Sequence, residues 1–210
     1  CIMTRKMQIK NEIWSAITHG IGIILSILGM ILLILKGIDT NSITLFSYIV
    51  YTCSLVLLYL FSTLFHCLYF TKAKRVFQIF DHCSIFLLIA GTYTPYCMLA
   101  IKGVKGLILM IMIWLMSILG ILYHILASKR KQVFETIIFV VMGWLCILGA
   151  KELFLSLGKI GLGLLVAGGI TFTLGALVYS IPKIKYAHVF WHIFVMLGSI
   201  LMFISIYCYI

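Results

Sequence analysis

Five polar residues stand inside or at the edge of apolar stretches of this chain: Ser62, His66, Asp81, His188 and His192. An ionisable side chain at membrane depth is costly, and it persists there with a partner or a task. Three imidazoles and a carboxylate are what a zinc ion and its water need: three nitrogen ligands, a fourth position left to water, and a proton acceptor beside it. The spacing fits that chemistry. His188 and His192 are i and i+4 and share one helical face, as do Ser62 and His66. Val189, Phe190 and Trp191 between the two histidines include no glutamate, so this is not the H-E-x-x-H arrangement. The proton acceptor must then come from another helix, and Asp81 is the candidate. Ser62 can hydrogen-bond Asp81, the water or a developing oxyanion. Two plainer readings stand beside the metal site: histidines that hydrogen-bond across helices, and a proton relay without metal.

Other polar residues carry weaker signals. Glu12 and His19 lie seven apart on one face of the first apolar stretch, where they would support or gate the pocket or form a structural pair. His82 follows Asp81 and points about 100° away on a helix, which suits packing or a supporting contact. His124 is expected at the interface rather than as a ligand, and Glu135 is expected to pair with the basic residues before it. Trp14 and Trp191 are expected to anchor at the membrane boundary. The seven cysteines show no C-x-x-C spacing and read as small buried hydrophobes. Cys67 and Cys83 flank His66 and His82 and are secondary ligand candidates.

The elements that must position these residues follow from composition. The chain is 64% hydrophobic and only 10% charged, with a mean hydropathy of +1.22. A soluble domain of 210 residues could not bury so much apolar surface. The reading is an all-α integral membrane protein, a seven-transmembrane helix bundle forming one domain over residues 1–210, in a cell membrane. The expected spans are 13–35, 43–70, 79–101, 106–127, 133–150, 160–181 and 187–210, each long enough for about 30 Å of hydrocarbon. The first is read as a span and not a signal peptide. Pro95, late in the third, should kink or end its helix. Gly163, Ala167, Thr171 and Gly175 should form a close-packing stripe in the sixth.

A net charge of +11 would suggest nucleic acid in a soluble protein, but here the basic residues cluster between apolar runs and no nucleic-acid platform is expected. The N-terminus and the segments around Lys72/Lys74/Arg75, Lys129/Arg130/Lys131 and Lys183/Lys185 hold 11 Lys and Arg, against five at Lys36, Lys102, Lys105, Lys151 and Lys159. The imbalance predicts the N-terminus in the cytoplasm and the C-terminus outside. His66 near the end of the second span and Asp81 near the start of the third are symmetric about the turn between Ala73 and Lys74. An antiparallel hairpin puts them at equal depth. His188 and His192, in the first turns of the seventh span, reach the same layer, so three helices deliver candidate ligands to one place.

With these residues in hand, the chain resembles the hemolysin III family, the bacterial branch of the progestin and adiponectin receptor superfamily. The carriers are Glu12 with Thr18-His19-Gly20, Ser62-x-x-x-His66, Asp81-His82 leading to Ala90-Gly91-Thr92-Tyr93-Thr94-Pro95, Met142-Gly143-Trp144, Gly168-Gly169 and His188-x-x-x-His192. The wider group is similar to alkaline ceramidases. The resemblance implies that His66, His188 and His192 bind zinc, that Asp81 holds the water, and that Ser62 is the serine one turn before the first histidine. The long N-terminal region of the receptors has no counterpart here, so hormone sensing is not implied. The leading expectation is a zinc-dependent hydrolase of a membrane-lipid amide or ester. The alternatives are a non-enzymatic membrane sensor or homeostasis factor with structural zinc, and a cytolytic pore former, although every span reads as a plain apolar helix.

Overall fold

A computed structural model of the chain describes residues 4–127, 132–181 and 184–210. The expected topology signals at Lys129/Arg130/Lys131 and Lys183, and Cys1 among the cysteines, lie outside the described residues. The described elements are α1 (Arg5–Gly37), α2 (Ser42–Cys67), α3 (Lys74–Pro95) with a π-helical turn over Tyr96–Ile101, α4 (Gly103–Leu126), α5 (Gln132–Trp144) with a 3-10 turn over Leu145–Gly149, α6 (Ala150–Ser180) and α7 (Ala187–Tyr209). Among the described residues there is no strand.

Six helical stretches are long and apolar enough to cross a membrane: Arg5–Gly37, Ser42–Cys67, Lys74–Ile101, Gly103–Leu126, Val133–Ser180 and Ala187–Tyr209. Helices satisfy their own backbone groups, which lipid cannot do. Their faces are sorted for that solvent. On α1, Asn11, Glu12, Ser15, His19, Gly22 and Ser26 recur every three to four residues and turn inward. Ile13, Ile17, Ile24, Leu28 and Ile31 cover its outward face. The chain is a multi-pass membrane protein.

The stretch Val133–Ser180 is 48 residues long and doubles back on itself. Gly158 breaks it with φ 65°, ψ −173°, a backbone conformation that favours glycine. Trp144 Nε1 on one leg donates to Thr173 Oγ1 on the other at 3.0 Å. The connection expected between residues 150 and 160 therefore contracts to Gly158, and Lys151 and Glu152 remain helical. Glu152 pairs with Lys105 at 2.9 Å on the exposed surface, which explains why charge in this segment does not end the helix.

Chain direction alternates, and one end of the bundle gathers the start of α1, the end of α2, the start of α3, the ends of α4 and α6, and the starts of α5 and α7. We call this the near end. The α2–α3 hairpin is tight: a Cβ on Gly91 would fall on Ser54 Oγ. At Pro95 the α-helix gives way to the π turn, whose last bond runs from Lys102 N to Cys97 O at 2.9 Å. Across from it, the 3-10 segment after α5 is held from outside. Tyr93 Oη accepts from Cys146 N at 2.7 Å and donates to Met142 O at 2.8 Å.

The close stripe of α6 keeps Gly175 of the expected residues but not Gly163. Gly163 has open space around it, whereas Gly161 packs on Tyr209, Gly168 on Met202, and Gly175 on Phe194. The contact line against α7 runs through Gly161, Gly168 and Gly175.

A cavity of about 130 Å³ opens inside the bundle. Ser62, Asp81 and His188 line it at the near end, and Ile101 and Leu153 line it at the far end. Asp81 and Ile101 are separated by roughly 30 Å of α3 at 1.5 Å per residue, so the cavity follows most of the bundle's length.

Candidate metal centre

The site is built at the near end by α1, α2 and α7. His66 stands in the last turn of α2, and His188 and His192 occupy the first two turns of α7. His188 Nε2 lies 3.0 Å from His66 Nε2 and 3.0 Å from His192 Nε2. One ligand atom from each of the three histidines falls within 4.8 Å of the other two. Four-coordinate zinc with bonds of about 2.0–2.1 Å would set its nitrogens roughly 3.3–3.4 Å apart, a few tenths from this spacing.

The far ring nitrogens fix how the near ones present themselves. His66 Nδ1 meets Glu12 Oε2 at 2.7 Å, with both side chains buried. A carboxylate only accepts, so a proton sits on Nδ1, and in a neutral ring Nε2 then offers a bare lone pair. His192 Nδ1 faces the Ser15 carbonyl at 3.2 Å, with Thr18 Oγ1 at 3.3 Å. By the same logic its Nε2 is also bare. His188 Nε2 thus sits against two lone pairs, and a single proton on it can serve only one of them. A cation shared by all three relieves the conflict. The donor set fits a metal ion, and imidazole nitrogens suit zinc among the borderline divalent metals. Supporting partners of this kind are what metal-bound histidines ordinarily have.

The remaining predicted residues divide around this centre. Ser62 is 1% exposed and Asp81 is 8% exposed, and both line the cavity with His188 and His192. Asp81 lies within electrostatic reach of His66, His82 and His124 and beside Ser62. Ser62 Oγ has no hydrogen-bond partner among the described residues. Of the two readings of Glu12 and His19, the supporting one holds and the mutual pair does not: Glu12 goes to His66, and His19 stacks on His192 with ring centroids 3.5 Å apart. His82 Nδ1 bonds to the Gln78 carbonyl at 2.9 Å, lies 3.9 Å from Asp81 Oδ2, and its ring stacks on His124 at 5.0 Å.

Other expectations are corrected. His124 is buried, not interfacial, and its Nδ1 pairs with Glu135 Oε1 at 2.8 Å. Glu135 thus has a partner on α4, and the basic residues with which it is expected to pair, Lys129, Arg130 and Lys131, lie outside the described residues. Trp14 is 55% exposed, as a boundary residue would be, but Trp191 turns inward and lines the cavity. Cys67 is exposed and Cys83 buried, and neither joins the ligand group.

Sequence reasoning missed Ser15, Thr18 and Tyr179. Ser15 acts through its backbone carbonyl, which no side-chain reading can find. Thr18 was visible only as the neighbour of His19. Tyr179 lines the cavity, packs on His188 at 5.4 Å and lies within electrostatic reach of Asp81 and Glu135. Its position near the end of α6, in the layer that receives α7, was the available signal.

Fold and site define a class: a multi-pass helical membrane protein with a buried trihistidine centre at one end of a long apolar cavity. The haemolysin-III-related family pattern matches residues 7–203, and the chain belongs to that family. It is 41% identical to Hemolysin-3 of Bacillus cereus over 210 residues, covering 99% of this chain and 96% of that protein. Identity to the Hemolysin-3 homolog of Bacillus subtilis (strain 168) is 41% over 202 residues, covering 96% and 95%. A more distant relative, the monocyte to macrophage differentiation factor of Homo sapiens, is 28% identical over 167 residues, covering 77% of this chain and 69% of that protein.

Proposed function

We propose that this protein is a zinc-dependent hydrolase of a membrane-lipid amide or ester, acting in membrane lipid homeostasis. The observation that carries the reading is the convergence of three imidazole nitrogens at the polar end of a long apolar cavity. In this reading the chain crosses the membrane seven times, with Val133–Ser180 contributing two spans that turn at Gly158. The near end faces the cytoplasm, in keeping with Arg5, Lys6, Lys72, Lys74 and Arg75 there.

His66, His188 and His192 would hold the ion. When bound, zinc supplies Lewis acidity: it polarises a carbonyl and makes water acidic enough to deprotonate near neutrality. Asp81 accepts the proton from the attacking water and returns it to the leaving nitrogen or oxygen as the acyl bond breaks. Ser62 donates its hydroxyl proton to the carbonyl oxygen as that oxygen gains charge. The apolar cavity walls take the acyl chain and exclude bulk water.

A second reading, structural zinc in a non-enzymatic sensor, is favoured by one observation: the ligands and their partners tie α1, α2 and α7 together. A third, cytolysis, draws on the printed names of the two bacterial relatives and predicts leakage from liposomes that survives His188→Ala. The test between the first two is Asp81→Asn. Turnover of a micellar acyl amide or ester should fall by about 10²–10⁴-fold with metal content near that of the wild type. Wild-type turnover in that variant would remove Asp81 as the base. A metal-loaded wild type with no turnover at all, coupled to a lower melting temperature on chelation, would favour the structural reading.

A further inference from the structure

Among the described residues, the exposed charges of the near end are all of one sign. The chain has five Asp and Glu residues. Glu12, Asp81 and Glu135 lie at the near end and are buried, while Asp39 and Glu152 lie at the far end, beside the end of α1 and the start of α6. Arg5, Lys6, Lys10, Lys72, Lys74 and Arg75 therefore face no exposed carboxylate, and none of them is in an ion pair among the described residues. Two of these cations are held in place. Lys74 Nζ lies 3.5 Å from the centroid of the Tyr69 ring, a cation–π contact that fixes the ammonium and leaves it N–H donors to spare. Tyr69 is itself held: its Oη accepts from Gln8 Nε2 at 2.7 Å, and its ring meets Phe65 and Phe70. Arg5 stands one turn before Gln8, on the face of α1 from which Gln8 and Glu12 both reach the end of α2.

Positive charge that only orients a chain in the membrane acts by number and need not be fixed. A lysine parked on an aromatic ring in the turn between two helices, with the start of a third helix bonded to that ring, is a built contact. Basic pockets between helices at a membrane surface take the head groups of anionic lipids. We propose that the notch between the start of α1 and the α2–α3 turn binds the phosphate head group of an anionic membrane phospholipid, with Lys74 and Arg5 as its cations. The surroundings select a lipid over a soluble anion. Phe70, Val76 and Phe80 run from the notch along α3 as exposed apolar surface, against which acyl chains can lie, and a free phosphate would use none of it. The site is separate from the trihistidine centre and does not depend on the hydrolase reading or on which side of the membrane the near end faces.

The experiment measures binding of phosphatidylglycerol and phosphatidylcholine carrying the same fluorescent acyl chain, by anisotropy of the whole chain in neutral detergent micelles. One basic residue beside a head group is worth about fivefold in affinity. The wild type should therefore prefer phosphatidylglycerol by about 25-fold, and Arg5→Gln/Lys74→Gln should bring that preference close to one. Lys102→Gln/Lys151→Gln removes the same charge from the far end and should leave the preference unchanged. Tyr69→Leu changes no charge but takes away the ring under Lys74, and the preference should fall about fivefold; Tyr69→Phe keeps the ring and should keep the preference. If Tyr69→Leu does not fold, Lys74→Gln alone is set against Lys10→Gln, a near-end cation off the Gln8 face, and only the first should lose affinity. No preference in the wild type overturns the site. Equal losses in the near-end and far-end double variants, or in Lys74→Gln and Lys10→Gln, overturn it in favour of diffuse charge, as does an unchanged preference in folded Tyr69→Leu. Displacement of the lipid by glycerol phosphate at the lipid's own concentration would make the notch a site for a soluble anion and overturn the lipid assignment.

Discussion

Two glutamate–histidine pairs sit in the near-end layer and look alike up to a point. Glu12 meets His66 at 2.7 Å and Glu135 meets His124 at 2.8 Å. All four side chains are at most 7% exposed. The difference is on the other side of the imidazole. His66 turns its Nε2 toward His188 Nε2 at 3.0 Å, while the ring of His124 lies stacked on that of His82 at 5.0 Å. A buried carboxylate partner therefore does not mark a metal site, because helix packing uses the same contact. What marks the site is convergence of the opposite nitrogens on one point.

The comparison can be broken at three strengths. The double variant His188→Ala/His192→Ala removes two of three ligands and should take bound zinc from about one ion per chain to none, measured by elemental analysis of protein purified without chelators. Retained metal there would move the site elsewhere. Glu12→Gln keeps the shape but weakens the hold on His66 Nδ1, and metal affinity should fall about 10–100-fold in a chelator competition. Glu135→Gln should leave metal affinity unchanged and destabilise the fold by about 1–3 kcal/mol, seen as a lower unfolding midpoint in detergent. Equal losses of metal affinity in both glutamine variants would erase the distinction between the pairs.

The convergence was legible before any coordinates. His188 and His192 share a face by spacing, and the symmetry of His66 and Asp81 about the α2–α3 turn sets their common depth. Both arguments use only helix geometry and alternating chain direction. The partners of Glu12, His19 and Glu135 were not legible, since helix rotation decides them. Glu12 and His19 share a face of α1, yet that face borders α2 near Glu12 and α7 near His19. The contact of Glu135 with His124 on α4 was not legible either, because it depends on how α4 and α5 face each other. The turn at Gly158 escaped for another reason: hydropathy reads Lys151 and Glu152 as a break, whereas a helix end carries charge readily when Glu152 can reach Lys105. The stripe of α6 was right at Gly175 and wrong at Gly163, because spacing finds small residues but not the face on which a neighbour lies.

The phenol of Tyr93 substitutes for helix bonds at the 3-10 turn, taking the Cys146 amide proton and giving its own to the Met142 carbonyl. The bent shape of that cavity wall is thus a property of the assembled bundle and not of its own segment. Alone in lipid, residues 142–149 would have to close those bonds themselves and straighten into an ordinary α-helix. The turn needs the hydroxyl that α3 brings, so the shape of this part of the cavity is set between helices and would change with any shift of α3 against α5.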